Sequence, residues 1–398
     1  MKLTNIGLLP RVLVAIVAGI GIGAIAPEWL ERLAITVNGL FGQLLGFIVP
    51  LIIVAFVADA IASIGRSVGK ILLVTVALAF GDTILAATLG YGVGEWLFPS
   101  YMSSINLASV TDSTDALAPY FTISIPPIFG VMSALVLSFI LGLCISRLNL
   151  TTLSSVVSEL RQAIESVIKR VVIPLLPVYV FGIFVDMTYT GKVLEIMQVF
   201  ATIIVVIFVL HLGILLYEYV AAGLVSGRNP LRALRTMLPA YFTALGTSSS
   251  AATIPVTLRQ VQKLGVDDEI SSFTVPLCAT IHMSGSAMKI VCCAVALCMA
   301  GSMPHDFGTF LHFIIVLSLC MVAAPGVPGG CIMAALAPLA SILGFNAEQQ
   351  ALMIALYIAM DSFGTACNVT GDGAIALVVN RFFARRPSPE SINTTNIK

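Results

Sequence analysis

Apolar residues run along this chain in long blocks separated by short polar joints, and most blocks are long enough to cross a bilayer as a helix. Their limits predict helices over about 8–26, 36–64, 68–96, 124–147, 163–191 and 195–226. Two further blocks are interrupted in the middle. One covers about 228–262 and breaks at Gly246-Thr247-Ser248-Ser249-Ser250, with Pro255 just beyond. The other covers about 308–345 and breaks at Pro325-Gly326-Val327-Pro328-Gly329-Gly330. Proline removes a backbone donor and glycine weakens a helix, so each block folds back as a re-entrant hairpin. A helix at 268–300 follows the first hairpin, and one at 346–382 follows the second. The Ser- and Asp-rich stretch from Glu95 to about Ala118 is the one long polar connection.

Both helices that follow a hairpin carry polar residues at membrane depth. In the last one, Asp361, Thr365, Asn368 and Asp372 fall at i, i+4, i+7 and i+11. At about 100° per residue they lie within roughly 60° of arc, one polar stripe on an apolar rod. Acids in that setting are costly unless something binds them, which makes Asp361 and Asp372 site candidates. In the earlier helix the interruption reads Thr280-Ile281-His282-Met283-Ser284-Gly285-Ser286, and Lys289 follows at i+7 from His282. Asp82 stands in the middle of the third predicted helix, where it is either an ion ligand or the partner of His282 or Lys289. Glu218 and His211, at i and i+7 on the sixth helix, are expected to pair with other helices.

The unit of broken hairpin and polar helix thus appears twice, entering from opposite faces. Unwound backbone at membrane depth survives only where protein or a wet cavity surrounds it. Paired interrupted segments in two halves point to an inverted-repeat transporter with its site at the midplane. The chemistry follows from the parts. Half-helix N-termini suit a carboxylate, and an ionised Asp suits an ammonium, so together they describe a site for a zwitterionic amino acid. Loosened carbonyls with Asp372 describe a hard-cation site.

Composition agrees. Of 398 residues 58% are hydrophobic and 10% charged, against about 25% charged in a soluble domain. The chain is an all-α polytopic membrane protein. Its net charge of zero gives no ground for a nucleic-acid partner. All eight cysteines lie in apolar segments without metal-ligand spacing. The N-terminal stretch has signal-peptide features, but with so many apolar blocks behind it a first transmembrane helix is expected. With both termini cytoplasmic, every Lys and Arg falls on the inner side except Arg32, Lys192 and the intramembrane Lys289.

The serine-rich hairpin tip, Thr280-Ile-His-Met-Ser-Gly285, the Gly326-Val-Pro-Gly329 hairpin and Asn368-Val-Thr-Gly-Asp372 resemble the dicarboxylate/amino acid:cation symporter family, nearest its serine/threonine-type neutral branch. The likeness is specific over about 240–382. It implies eight transmembrane helices plus the two hairpins, a homotrimer in the bacterial inner membrane and an elevator mechanism. Residues 1–64 and 99–191 would form the scaffold, 65–98 and 192–382 the transport domain, and 383–398 a cytoplasmic tail. By the resemblance Asp361 takes the substrate amino group, and Asn368, Ser249 and Ser250 take its carboxylate. Thr365, Ser286 and Gly364 line the side-chain pocket, and Gly326 and Val327 belong to the lid. Asp372 with Asn368, His282 and Cys278 matches one sodium site, Thr280 a second, and Asp82, Thr83, Met283 and Ser284 the surroundings of a third.

Three departures matter. Gly364 stands where dicarboxylate-specific members carry Arg, the planar fork that a side-chain carboxylate needs. A small neutral substrate such as serine, threonine or alanine is therefore expected. The family's Asn-Met-Asp-Gly is His282-Met283-Ser284-Gly285, and Asp82 is expected to return the lost charge to that third site. Lys289 and His282 are coupling candidates: a fixed ammonium can replace a bound cation, and an imidazole can carry a proton. Sodium is the expected coupling ion and a proton the alternative. A channel and an intramembrane protease are weaker readings. Asp361 and Asp372, roughly 16 Å apart on one helix, cannot share a proton as a catalytic dyad must, and no enzyme is expected.

Overall fold

The computed structural model describes residues 8–66, 69–102, 117–191, 193–321, 324 and 329–384. Among the described residues every regular element is a helix. The first six that matter are α1 (Leu8–Gly23), α2 (Glu28–Arg66), α3 (Lys70–Leu97), α4 (Val131–Leu148), α5 (Thr151–Val167) and α6 (Ile173–Tyr189). A π turn over Ile168–Val172 joins α5 to α6. Then come α7 (Val193–Ser226), the hairpin α8 (Pro230–Thr247) and α9 (Ser250–Lys263), and the broken pair α10 (Asp268–Ile281) and α11 (Ser284–Ala300). The chain closes with the hairpin α12 (Phe307–Met321) and α13 (Gly330–Ser341), and a second broken pair, α14 (Ala347–Ala359) and α15 (Asp361–Phe383).

Among the described residues, five helical stretches are long and apolar enough to cross a membrane: Glu28–Ala62, Lys70–Tyr101, Thr151–Tyr189, Ile196–Ser226 and Asp268–Ala300. α14 and α15 together make a sixth, bent by 62°. α1 and the apolar part of α4, also expected as spans, are shorter apolar helices.

Two expectations change. The stretch between 147 and 163, expected as a loop, is the amphipathic α5. Val157 and Ile164 are buried while Glu159 and Arg161 face outward, and Arg161 Nη1 meets Asp59 Oδ2 on α2 at 2.6 Å. The last helix, expected to run unbroken over 346–382, breaks at Met360. Asp361 therefore opens α15, and an acid in the first turn is favoured by the helix dipole. The polar stripe itself stays intact, since Asp361 to Asp372 all lie in α15.

The breaks put polar groups inside the protein. The arms of each hairpin pack against each other, and α15 touches α7, α8, α9, α10 and α11. Nearly all of α11 is buried, with α3 lying along it. That approach depends on Gly90: a Cβ there would sit 2.8 Å from the Met288 carbonyl oxygen, which is backbone and cannot move aside. Gly90→Val is expected to lower stability by about 1–3 kcal/mol. Gly92→Val, where a Cβ meets nothing within 4 Å, is expected to change it little. Melting of the two detergent-purified variants checks this; equal melting temperatures would show that the α3–α11 approach is loose.

Candidate functional site

Both hairpins reach the start of α15. At the first tip Ser248 adopts a left-handed backbone (φ 49°), which ends α8 and turns the chain into α9. Ser248 Oγ lies 2.8 Å from Ser362 Oγ. Ser249 caps α9, its hydroxyl accepting the Ala252 N–H at 3.3 Å, and Ser250 is the first residue of that helix. From the second hairpin, the Gly329 N–H donates to Asp361 Oδ2 at 2.8 Å. Gly329 has φ +77°, the left-handed region glycine adopts without strain. Asp361 is buried, and Thr365 Oγ1 donates to its carbonyl at 3.1 Å. Gly326 and Val327 lie outside the described residues.

One turn further, Asn368 ties α15 to the broken end of α11. Its Oδ1 accepts the Gly285 N–H at 2.8 Å and the Ser286 N–H at 3.2 Å, two donors that the helix break leaves unpaired. Its Nδ2 donates to Ser286 Oγ at 3.0 Å, and Tyr357 donates to the same hydroxyl at 3.2 Å. Asp361, Ser286, Gly364, Thr365 and Asn368, spread over two helices, thus form one buried polar group.

A second polar cluster lies deeper, around His282. Its Nδ1 is 3.0 Å from Asp372 Oδ1 and its Nε2 2.8 Å from Asp82 Oδ2. Both contacts are hydrogen bonds only if the ring carries two protons or one carboxyl is protonated. Of the two partners considered for Asp82, the structure takes His282; Lys289 pairs elsewhere. Tyr217 also donates to Asp82. Thr83 Oγ1 accepts the Met283 N–H at 3.2 Å, which places α3 against the break in the α10–α11 pair. Met283 Sδ lies 3.4 Å from Asn368 Nδ2. The Cys278 carbonyl accepts the His282 N–H at 2.8 Å. Thr280 stands apart: it is exposed, and its hydroxyl donates to the Leu277 carbonyl at 2.8 Å.

Glu218 on α7 completes the cluster, a role beyond the pairing with other helices expected of it. Its Oε1 accepts the Ser284 hydroxyl at 2.8 Å and lies 4.0 Å from His282 Nε2. Its Oε2 is buried without a hydrogen-bond partner. Single ligand atoms of Asp82, Glu218 and His282 all lie within 4.8 Å of one another, a donor set able to hold a cation. Position 284, where the carboxylate of the motif is missing, therefore meets a carboxylate supplied by another helix. The signal available beforehand was an acid inside an otherwise apolar span. His211, on the same helix, places Nε2 3.2 Å from the Gly285 carbonyl.

The family model described as the sodium:dicarboxylate symporter family matches residues 8–382. The serine/threonine transporters SstT of Acinetobacter baumannii strains AYE and AB0057 are each 27% identical to the chain over 388 residues, covering 93% of it and 95% of the relative. Apolar helices, buried charges at their breaks and this match together describe an integral membrane transporter, a cation-coupled amino acid symporter rather than an enzyme. The chain belongs to the sodium:dicarboxylate symporter family.

Proposed function

We propose that this protein carries a small neutral amino acid of the serine, threonine or alanine kind into the cell together with sodium. The observation that supports it best is the convergence of both hairpins on the Asp361 end of α15. Asp361 is the counter-charge for the substrate ammonium, and the N-terminus of α9 at Ser249 and Ser250 offers unpaired N–H groups to its carboxylate. The relatives named as serine/threonine transporters favour the same substrate class. The carrier works as a homotrimeric elevator of eight spans and two re-entrant hairpins in the inner membrane, both termini cytoplasmic, with 1–64 and 99–191 as scaffold and 65–98 and 192–382 moving. Uptake of a labelled amino-acid panel into proteoliposomes, with and without a sodium gradient, tests this. Serine is expected to accumulate only with the gradient, and preference for acidic over neutral amino acids would overturn the substrate class.

One observation favours a second coupling ion. His282 sits between Asp82 and Asp372 with a ring nitrogen on each, so a proton there does the work of a bound cation. Uptake with choline replacing sodium, measured across pH, separates the two. Under sodium coupling, choline abolishes accumulation at every pH. Under proton coupling, accumulation persists in choline and follows the imposed pH gradient.

A further inference from the structure

Lys289 brings a cation to the substrate site from a helix other than the one that bears the polar stripe. It is fully buried on α11. Its Nζ donates to the Met360 carbonyl at 3.1 Å and the Tyr357 carbonyl at 3.4 Å, and lies 3.5 Å from the centre of the Tyr357 ring. The two carbonyls are at the end of α14, where the Tyr357 carbonyl also accepts the Met360 N–H at 3.1 Å and the Met360 carbonyl the Phe363 and Gly364 N–H groups at 3.2 Å. An ammonium has three donors. Among the described residues the third has no oxygen partner, and the charge makes no ion pair.

Gly364 sets where this ammonium lies. A Cβ at 364 would sit 3.0 Å from Lys289 Nζ and 3.2 Å from Ser286 Oγ. The charge therefore rests against bare backbone of α15, three residues along from Asp361. Gly364 leaves the pocket without an arginine, but not without a positive charge.

We infer that Lys289 reads the substrate's side chain, binding an oxygen acceptor there, either a hydroxyl or a carboxylate. This rests on the placement of the substrate ammonium at Asp361. A cation beside Asp361 repels that ammonium. A substrate that turns a side-chain oxygen toward Gly364 sets a hydrogen bond to a charged donor against the repulsion. An aliphatic side chain leaves the third donor of the ammonium without an acceptor in a dry site, which is unfavourable.

The test compares serine, aspartate and alanine as substrates of the full-length carrier and of Lys289→Met in proteoliposomes, with Gly364→Ala as an independent perturbation of the same contact. Lys289→Met is expected to lower kcat/KM for serine relative to alanine about tenfold or more, the factor a hydrogen bond to a charged group contributes. Gly364→Ala is expected to move the ratio in the same direction by less. A fall in aspartate relative to alanine as well as serine assigns the subsite to carboxylates too; a fall in serine alone assigns it to hydroxyls. If Lys289 only caps α14, all three substrates change by one common factor, and that result, or an unchanged ratio in both variants, overturns the inference. Should Lys289→Met fail to fold, the ratio in Gly364→Ala decides. Absence of any amino-acid uptake by the unaltered carrier would instead sink the underlying function.

Discussion

Asp361→Asn is expected to weaken substrate capture by about two to three orders of magnitude while leaving the protein folded. Removing one partner of a buried ion pair costs about 3–5 kcal/mol, which is at least a hundredfold in affinity. The asparagine oxygen still accepts the Gly329 N–H, so the second hairpin keeps its contact with α15. What is lost is the charge facing the substrate ammonium. Lys289, which donates to the carbonyl of Met360 next to Asp361, then faces that ammonium without compensation. Substrate titration of the purified protein, with melting in parallel, measures both halves. A variant that melts normally but binds serine as the parent does would remove Asp361 from the site. Asp361→Glu keeps the charge and is expected to fall between the two.

The frame of this molecule was legible because membrane depth leaves few options. Apolar blocks, a serine-rich break and a Pro-Gly break can only be spans and hairpins when no water is present to satisfy an open backbone. The stripe from Asp361 to Asp372 needed only helical spacing. Other features could not be read along the chain. α5 looked like a joint, since its alternation of Ser, Glu and Arg with Val and Ile is too polar for a span; only its covered face shows the helix. The break at Met360 has no proline or glycine to announce it. Glu218 was visible as an acid in an apolar helix, but its meeting with Ser284 joins residues 66 apart. The Gly364–Lys289 contact is harder still, because a missing side chain on one helix has meaning only once another helix is laid against it.

The deep cluster gives the second large effect. Asp82, Glu218 and Asp372 surround a single imidazole. Even a doubly protonated ring leaves this group negative, so His282 is the element that keeps the carboxylates together. His282→Ala removes both shared hydrogens and leaves buried acids facing one another. It is expected to destabilise the protein by about 3–5 kcal/mol, the cost of stripping the partner from buried charges. Glu218→Gln acts in the other direction: the amide oxygen still accepts the Ser284 hydroxyl, and no negative charge can form at this position. In the His282→Ala background this second change is expected to restore at least about 1 kcal/mol, a coupling within the range found for residues in one network. In the unaltered protein it is expected to be nearly neutral for stability and to reduce the dependence of uptake on the coupling cation. Denaturant or thermal melts of the two single variants and the double variant close the cycle. Strict additivity would mean that Glu218 and His282 do not feel each other, and that the cation-holding group is Asp82, His282 and Asp372 alone.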